Sequence, residues 1–183
     1  MEVNMTLEYI KSDLYRYCGK TTFGAFMRTT LLSHTFRHQM YMRISNAKGC
    51  IKYFGRFMYC VSRLLHTNLQ ISYKTKIGYG LYIGHHGPIV VNPLTKIGDN
   101  CNLSQFTSIG TNKGTGATIG NNVYLGPNVC VVEDVTIGDC ATIGAGSVVT
   151  KDIPENATAA GNYAKVLNYN NPGRFIHNPW KRK

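Results

Sequence analysis

Two adjacent histidines, His85 and His86, stand in a stretch that otherwise has no side chain titrating near neutral pH. The ordinary pKa of an imidazole is about 6.5, so a largely neutral ring can accept a proton from a hydroxyl group. The surrounding residues, Ile83-Gly84-His85-His86-Gly87-Pro88, have the composition of a bend in the chain. This bend is the first candidate for general-base chemistry.

A second unusual segment is Thr111-Asn112-Lys113-Gly114-Thr115-Gly116. Its glycines suggest a phosphate-binding loop, but the Lys-Ser/Thr pair of such a loop is missing and no helical pattern follows. We therefore expect an exposed loop. His34 and His38 are spaced four apart, but without a third ligand they do not predict a metal site, and none is expected.

Both segments interrupt a repeat that must position them. An aliphatic residue recurs every six positions, with a slip of two residues before Ile97 and an insertion of four before Ile119. The series is Ile71, Ile77, Ile83, Ile89, Ile97, Leu103, Ile109, Ile119, Leu125, Val131, Ile137, Ile143 and Val149. Such hexads predict a mainly β protein, a parallel β-helix of roughly four coils with the aliphatic residues inside.

The sequence before and after the repeat differs in pattern. Residues 1–68 predict an α-helical segment, 69–153 the β-helix and 154–183 an irregular C-terminal tail. In the third helical stretch, Ile51, Phe54, Phe57, Val61 and Leu64 form an apolar stripe. We expect this stripe to cap the open end of the β-helix or to pack in an oligomer, and membrane contact is the alternative.

The formal net charge of +11 is unevenly distributed. Residues 1–66 contain ten Lys or Arg against three Asp or Glu, whereas residues 71–153 contain five of each. No nucleic-acid-binding motif accompanies this charge, so nucleic acid is not an expected partner. The six cysteines show no metal or disulfide spacing, which predicts reduced thiols in a cytoplasmic protein, with the inner face of the membrane as a peripheral location.

The stretch from Lys76 to Lys165 resembles the hexapeptide-repeat acyltransferases. Its pieces are similar to serine O-acetyltransferases and especially to sugar O-acetyltransferases of capsular and exopolysaccharide synthesis: KIGYGLYIGH at 76–85, QFTSIG at 105–110, IGAGSVV at 143–149 and AAG at 159–161. The resemblance implies a left-handed β-helix, a homotrimer, acetyl-CoA as co-substrate and His85 as the catalytic base. The positions it implies for coenzyme binding are Gly110, Thr111, Gly126, Ala145, Gly146, Lys151 and Lys165.

The acceptor is predicted from departures from the serine enzymes. Those enzymes carry an aspartate where this chain has Gln70, and an acidic residue where it has Gly84. Because the charges that would bind an amino acid are missing, the predicted function is O-acetylation of a sugar hydroxyl in surface polysaccharide biosynthesis. Serine O-acetylation in cysteine biosynthesis is the alternative. The expected acceptor-binding residues are His86, Asn92, Gln105 and Asn112.

Two further classes remain open. A zinc carbonic anhydrase on a similar β-helix needs three histidine ligands, but the next histidine after His86 is His177, outside the repeat. A non-catalytic scaffold is also compatible with the fold, because a fold does not determine a function.

Overall fold

The computed structural model describes residues 2–65 and 68–182. Within these ranges, helices precede strands. The helices are α1 (Glu2–Cys18), α2 (Phe23–Leu32), α3 (His34–Ile44) and α4 (Ile51–Leu65). The strands are β1 (Leu69–Ile71), β2 (Lys76–Ile77), β3 (Ile89–Val91), β4 (Lys96–Ile97), β5 (Asn102–Leu103), β6 (Ser108–Gly110), β7 (Thr118–Ile119), β8 (Tyr124–Leu125), β9 (Cys130–Val132), β10 (Thr136–Ile137), β11 (Thr142–Ile143), β12 (Val148–Val149), β13 (Thr158–Ala160) and β14 (Lys165–Asn168).

The strands form the three sides of a parallel β-helix. Sheet A has the order β1-β3-β6-β9-β12, sheet B β10-β7-β4-β2 and sheet C β14-β13-β11-β8-β5. All pairings are parallel except that of β13 with β14. The five strands of sheet A make about five coils, one more than the hexad count predicts. Sheet A holds this extra strand because the hexad series both begins and ends on it, at Ile71 and Val149. In sheet C, β13 adds a rung beyond the series, with Ala159 paired to Ile143 of β11.

Hexad positions stack in columns along the coils. In sheet B, Ile77 pairs with Ile97, Ile97 with Ile119, and Ile119 with Ile137. The columns are buried, as are the small residues between them, such as Cys101 and Thr107. The slip and the insertion therefore do not disturb the register, because both leave the prism as loops.

The glycines after the inward aliphatic residues allow close backbone approach. A Cβ on Gly98 would lie 2.6 Å from the carbonyl oxygen of Gly120 on the next coil. Positive φ at the corners instead falls to residues such as Asn100, Asn122 and Cys140. At Gly98 the close approach of the neighbouring coil, rather than an unusual backbone conformation, therefore requires glycine.

A buried ion pair joins α1 and α3 to the first coil. The Arg43 guanidinium donates to both carboxylate oxygens of Asp13, at 2.9 and 3.0 Å, and to the carbonyl oxygens of Ile77 and Gly78. Asp13 also accepts the Leu81 N–H at 2.9 Å. Burial raises the pKa of the Asp13 carboxyl, and the adjacent Arg43 opposes that rise. The pair thereby anchors the helical segment to the backbone of the β-helix.

The predicted capping role of the α4 stripe is wrong for this chain. The α4 residues buried against the rest of the protein are Gly55, Tyr59 and Ser62. The apolar residues Ile51, Phe54, Phe57 and Leu64 are exposed instead. Residues from α1 and α3 such as Leu14, Phe36 and Met42 are buried in their place. The helical spacing of apolar residues predicts an apolar stripe on α4. It does not show which side of the helix packs against the rest of the protein.

Helix α4 lies against α3 at Gly55. A Cβ there would lie 2.7 Å from backbone atoms of Ile44 and Ser45. We expect Gly55→Ala to reduce the free energy of unfolding by about 1–3 kcal/mol, because the two helices must separate. Gly24→Ala in α2 is the matched control. No atom lies within 4 Å of its Cβ position, so it should be neutral or stabilising by up to about 1 kcal/mol in urea denaturation. Equal effects of the two changes would contradict the close-approach explanation.

Candidate active site

His85 lies at the corner where sheet C turns into sheet A. The buried residues Ile83 and Ile89 flank the turn, and His85 itself is exposed. Within residues 2–65 and 68–182 its imidazole has no side-chain hydrogen bond, so both ring nitrogens are available to a ligand. Because residue 84 is a glycine, no acidic side chain next to His85 orients its imidazole. The backbone of the turn alone positions it.

The same corner recurs on the following coils and carries more of the predicted site. Gln105 lies directly beneath Gly87, whose Cβ would be 2.6 Å from the Gln105 Cβ. Its carbonyl accepts the Asn128 N–H at 3.1 Å. Gly126 donates to the Ile143 carbonyl at 2.9 Å, and a Cβ on Gly126 would lie 2.9 Å from the Ala145 nitrogen. The structure thus places His85, Gln105, Gly126, Ala145 and Gly146 along one edge of sheet A.

Gln105 has a polar atom without a partner. Its Oε1 atom is buried and accepts no hydrogen bond from the described part of the chain. An unpaired buried acceptor is costly unless water or a ligand supplies a donor. The corner thus contains an acceptor, Gln105 Oε1, whose hydrogen-bonding capacity the described part of the chain leaves unused.

A groove of about 660 Å³ runs over the outer face of sheet A. Its lining includes the predicted residues Asn92, Gly110, Thr111 and Asn112. These residues lie at the corner from sheet A to sheet B. There the two-residue slip before Ile97 lies against the insertion before Ile119, since a Cβ on Gly116 would lie 2.6 Å from the Leu94 carbonyl carbon. The predicted loop at 111–116 is confirmed.

The two groups of predicted residues lie on opposite edges of sheet A. His85 precedes β3 and Asn92 follows it, so the three residues of that strand, about 10 Å, separate them. One chain therefore does not bring its His85 into its own groove. A second copy facing sheet A could do so.

The groove contains charged residues that the sequence analysis did not identify. Arg63, from the last turn of α4, and Glu133, from the end of β9, both line it, together with Gln70. Glu133 accepts a hydrogen bond from the Thr111 hydroxyl at 3.0 Å. No local pattern marks Arg63, because helix and groove come together only through the tertiary fold.

His86 has a partner from the helical segment. Its ring stacks on that of His34 with centroids 3.8 Å apart and an interplanar angle of 12°. His86 Nδ1 and His34 Nε2 are 2.9 Å apart, but an N–H points along its ring plane, so we take the contact as stacking rather than a good hydrogen bond. His34 is distant in the sequence, and its contact with His86 thus supports the turn that carries His85.

The remaining predicted residues are peripheral. Lys151 follows β12 and Lys165 begins β14, and both side chains are exposed. Cys101 is buried inside the coil, and burial raises the pKa of its thiol to about 12. It therefore stays protonated and cannot be a nucleophile. Within residues 2–65 and 68–182, no three His, Cys, Asp or Glu side chains cluster as a metal site would require.

The sequence of the repeat region is similar to those of known proteins. The sequence pattern of the family described as bacterial transferase hexapeptide (six repeats) matches residues 116–151. A serine acetyltransferase from Synechococcus elongatus is 31% identical over 141 residues, which cover 75% of this chain and 55% of that protein. The chain contains hexapeptide repeats and is similar to serine acetyltransferases over three quarters of its length. The predicted resemblance is confirmed.

Other comparisons agree on the fold. The galactoside O-acetyltransferase of Escherichia coli is 58% identical, but only over 50 residues, 27% of this chain and 25% of that protein. The serine acetyltransferase structure from Brucella abortus superposes with a TM-score of 0.72 at 22% identity, covering 93% of this chain and 71% of that one. A serine acetyltransferase in complex with CoA superposes with a TM-score of 0.69 at 22% identity, covering 90% and 71%. The predicted left-handed β-helix is confirmed. The chain spans 55% of the length of the Synechococcus relative.

Proposed function

We propose that the protein is an acetyl-CoA-dependent O-acetyltransferase in which His85 is the general base. The single observation that carries this proposal is the row of His85, Gln105, Gly126 and Ala145 along one edge of the β-helix. This row places a solvent-accessible base, His85, beside a straight edge of backbone that an extended ligand can follow. The CoA complex of a structurally similar enzyme supports acetyl-CoA as co-substrate.

In the proposed reaction, the neutral His85 imidazole accepts the proton of the acceptor hydroxyl. The oxygen attacks the thioester carbonyl carbon, and backbone N–H groups at the corner stabilise the resulting oxyanion. When the C–S bond breaks, the imidazolium returns its proton to the departing CoA sulfur. We propose that transfer is direct, with no acyl-enzyme, and that the buried Cys101 thiol, which stays protonated near neutral pH, takes no part in it.

The coenzyme would run along the coils. We assign its pantetheine arm to Gly110, Thr111, Gly126, Ala145 and Gly146, of which Gly110, Ala145 and Gly146 are exposed at the corners. The exposed ammonium groups of Lys151 and Lys165 are the proposed contacts for its phosphates.

We further propose a homotrimer with active sites shared between two chains. The separation of His85 from the groove by the width of sheet A supports this arrangement. The exposed Val90 and Val132 on the outer face of sheet A provide apolar surface for a neighbouring subunit. The trimer would bring the His85 edge of one chain to the groove of the next.

Serine is the acceptor that the relatives support better, although the sequence analysis favoured a sugar. The relatives with broad coverage are named serine acetyltransferases. The lining of the groove also contains a cation, Arg63, which suits the carboxylate of an amino acid. A positive charge that the sequence analysis considered missing would thus come from the last turn of α4.

A sugar hydroxyl is the second candidate, and one observation favours it. His85 has no acidic neighbour at Gly84, and the polar lining of the groove includes three neutral amides, Gln70, Asn92 and Asn112. Neutral amides suit the several hydroxyls of a hexose. Under this reading Gln105 and His86 would also contact the acceptor.

Steady-state kinetics with L-serine and with hexoses or amino sugars would distinguish the two acceptors. We expect kcat/KM for serine to exceed that for any sugar by about 10-fold or more, since Arg63 in the groove favours an acceptor that carries a carboxylate. Arg63→Gln should raise KM for serine about 10-fold with kcat nearly unchanged. Arg56→Gln, on the same helix but outside the groove, is the control and should leave KM unchanged. Efficient sugar acetylation without O-acetylserine formation would replace serine by the second candidate.

A further inference from the structure

Helix α4 presents its apolar face to solvent. Phe54, Phe57 and Leu64 are 56%, 65% and 80% exposed. Their spacing of three and seven residues places them on one face of the helix. Since the side that packs on α3 holds Gly55, Tyr59 and Ser62, the exposed face is available to another surface.

The charge around this face has one sign. Between Asp13 and Asp99 the sequence contains no acidic residue and twelve lysines and arginines. Lys52 and Arg56 of α4 border the apolar face, and the Lys52 ammonium lies 5.1 Å from the centre of the Tyr53 ring. An apolar strip bordered by basic and aromatic side chains is the composition of helices that lie in a lipid interface.

Charge complementarity decides between the occupants of this face. A second copy docked through α4 would set Lys52 and Arg56 against an equally basic surface, with no acidic partner between residues 14 and 98. The positive charge is spread over that whole range rather than concentrated at a shaped pocket. A broad anionic surface therefore fits better than a self-contact or a single acidic protein segment.

We propose that α4 lies in the surface of an anionic lipid bilayer. Phe54, Phe57 and Leu64 enter the boundary of the acyl chains, and Lys52 and Arg56 contact the lipid headgroups. In the described part of the chain, no helix is long and apolar enough to cross a bilayer, so the contact is peripheral. Because Arg63 of α4 also lines the groove on sheet A, that groove would open beside the membrane. The proposal does not depend on the acetyl-transfer reaction.

Co-sedimentation of the full chain with vesicles tests this surface. We expect binding to vesicles of phosphatidylglycerol and phosphatidylethanolamine, little binding to phosphatidylcholine, and weakening when salt is raised from about 0.1 to 1 M. The double variant Phe54→Ser/Phe57→Ser should bind at least about 10-fold more weakly, because it removes the apolar contact. Lys52→Glu/Arg56→Glu should lose binding to the anionic vesicles.

Leu167→Ser/Tyr169→Ser is the matched control, since both residues are exposed apolar side chains outside the helical segment. It should bind as the unaltered protein does. Thermal unfolding and light scattering of every variant show whether its fold and oligomeric state are kept. Failure of the unaltered protein to bind anionic vesicles would overturn the proposal, as would undiminished binding by Phe54→Ser/Phe57→Ser. A smaller oligomer in that variant would assign the face to self-association instead.

Discussion

Replacing His85 by alanine should lower kcat by about 10²–10⁴-fold and leave acetyl-CoA binding close to normal. The change removes the proposed base, while the coil corners at Gly126 and Ala145 keep their backbone geometry. Because His85 is exposed and makes no side-chain hydrogen bond within the described residues, the fold should not depend on it. Single-turnover kinetics together with CoA titration by calorimetry would separate the two effects.

His86→Ala is the matched control for this prediction. It removes the stacking on His34 but leaves the His85 imidazole in place, so its effect on kcat should be far smaller. Any effect should come from looser positioning of the turn. A large loss on changing His86 and little loss on changing His85 would shift the base by one residue.

The largest expected effect on stability is at the buried ion pair. Asp13→Ala should reduce the free energy of unfolding by about 3–5 kcal/mol, because it leaves the Arg43 guanidinium buried without its counter-ion. Asp13 and Arg43 are 1% and 7% exposed, and the Leu81 N–H would lose its acceptor as well. Urea denaturation monitored by circular dichroism measures the change.

Two further variants test this explanation. Lys113→Ala removes the exposed ion pair with Asp134, in which the side chains are 60% and 49% exposed, and should change stability by less than about 1 kcal/mol. The double change Asp13→Leu/Arg43→Met should cost less than the sum of the two single changes, because neither charge is then left alone. Strict additivity would show that the two residues act independently.

The β-helix could be predicted because its signal is local and repeated. Each inward position, such as Ile97 or Ile119, is aliphatic for its own packing reasons, so the pattern survives the slip and the insertion. The corner that carries His85 was predictable for the same reason, as a departure from an otherwise uniform repeat. Coil number was underestimated because the hexad series begins and ends on sheet A, at Ile71 and Val149, so that this side holds one strand more than a division of the hexads by three suggests.

The contacts that the sequence did not reveal join distant segments. Arg43 meets Asp13, His34 meets His86, and Arg63 reaches the groove, all through packing of helices on coils. The side on which α4 is covered depends on Gly55, which lets α3 approach closely. Such contacts have no periodic signature, because each depends on how two complete elements are oriented.

The stacking of the slip and the insertion at one corner has a consequence for how such proteins diverge. The columns from Ile77 to Ile137 keep their register although the loops at Asn92 and Thr111 vary in length beside them. Insertions and substitutions during evolution can therefore change these loops while the columns of aliphatic residues, which form the recognisable sequence repeat, stay the same. Enzymes of common ancestry can then differ in acceptor through a few residues at a single corner.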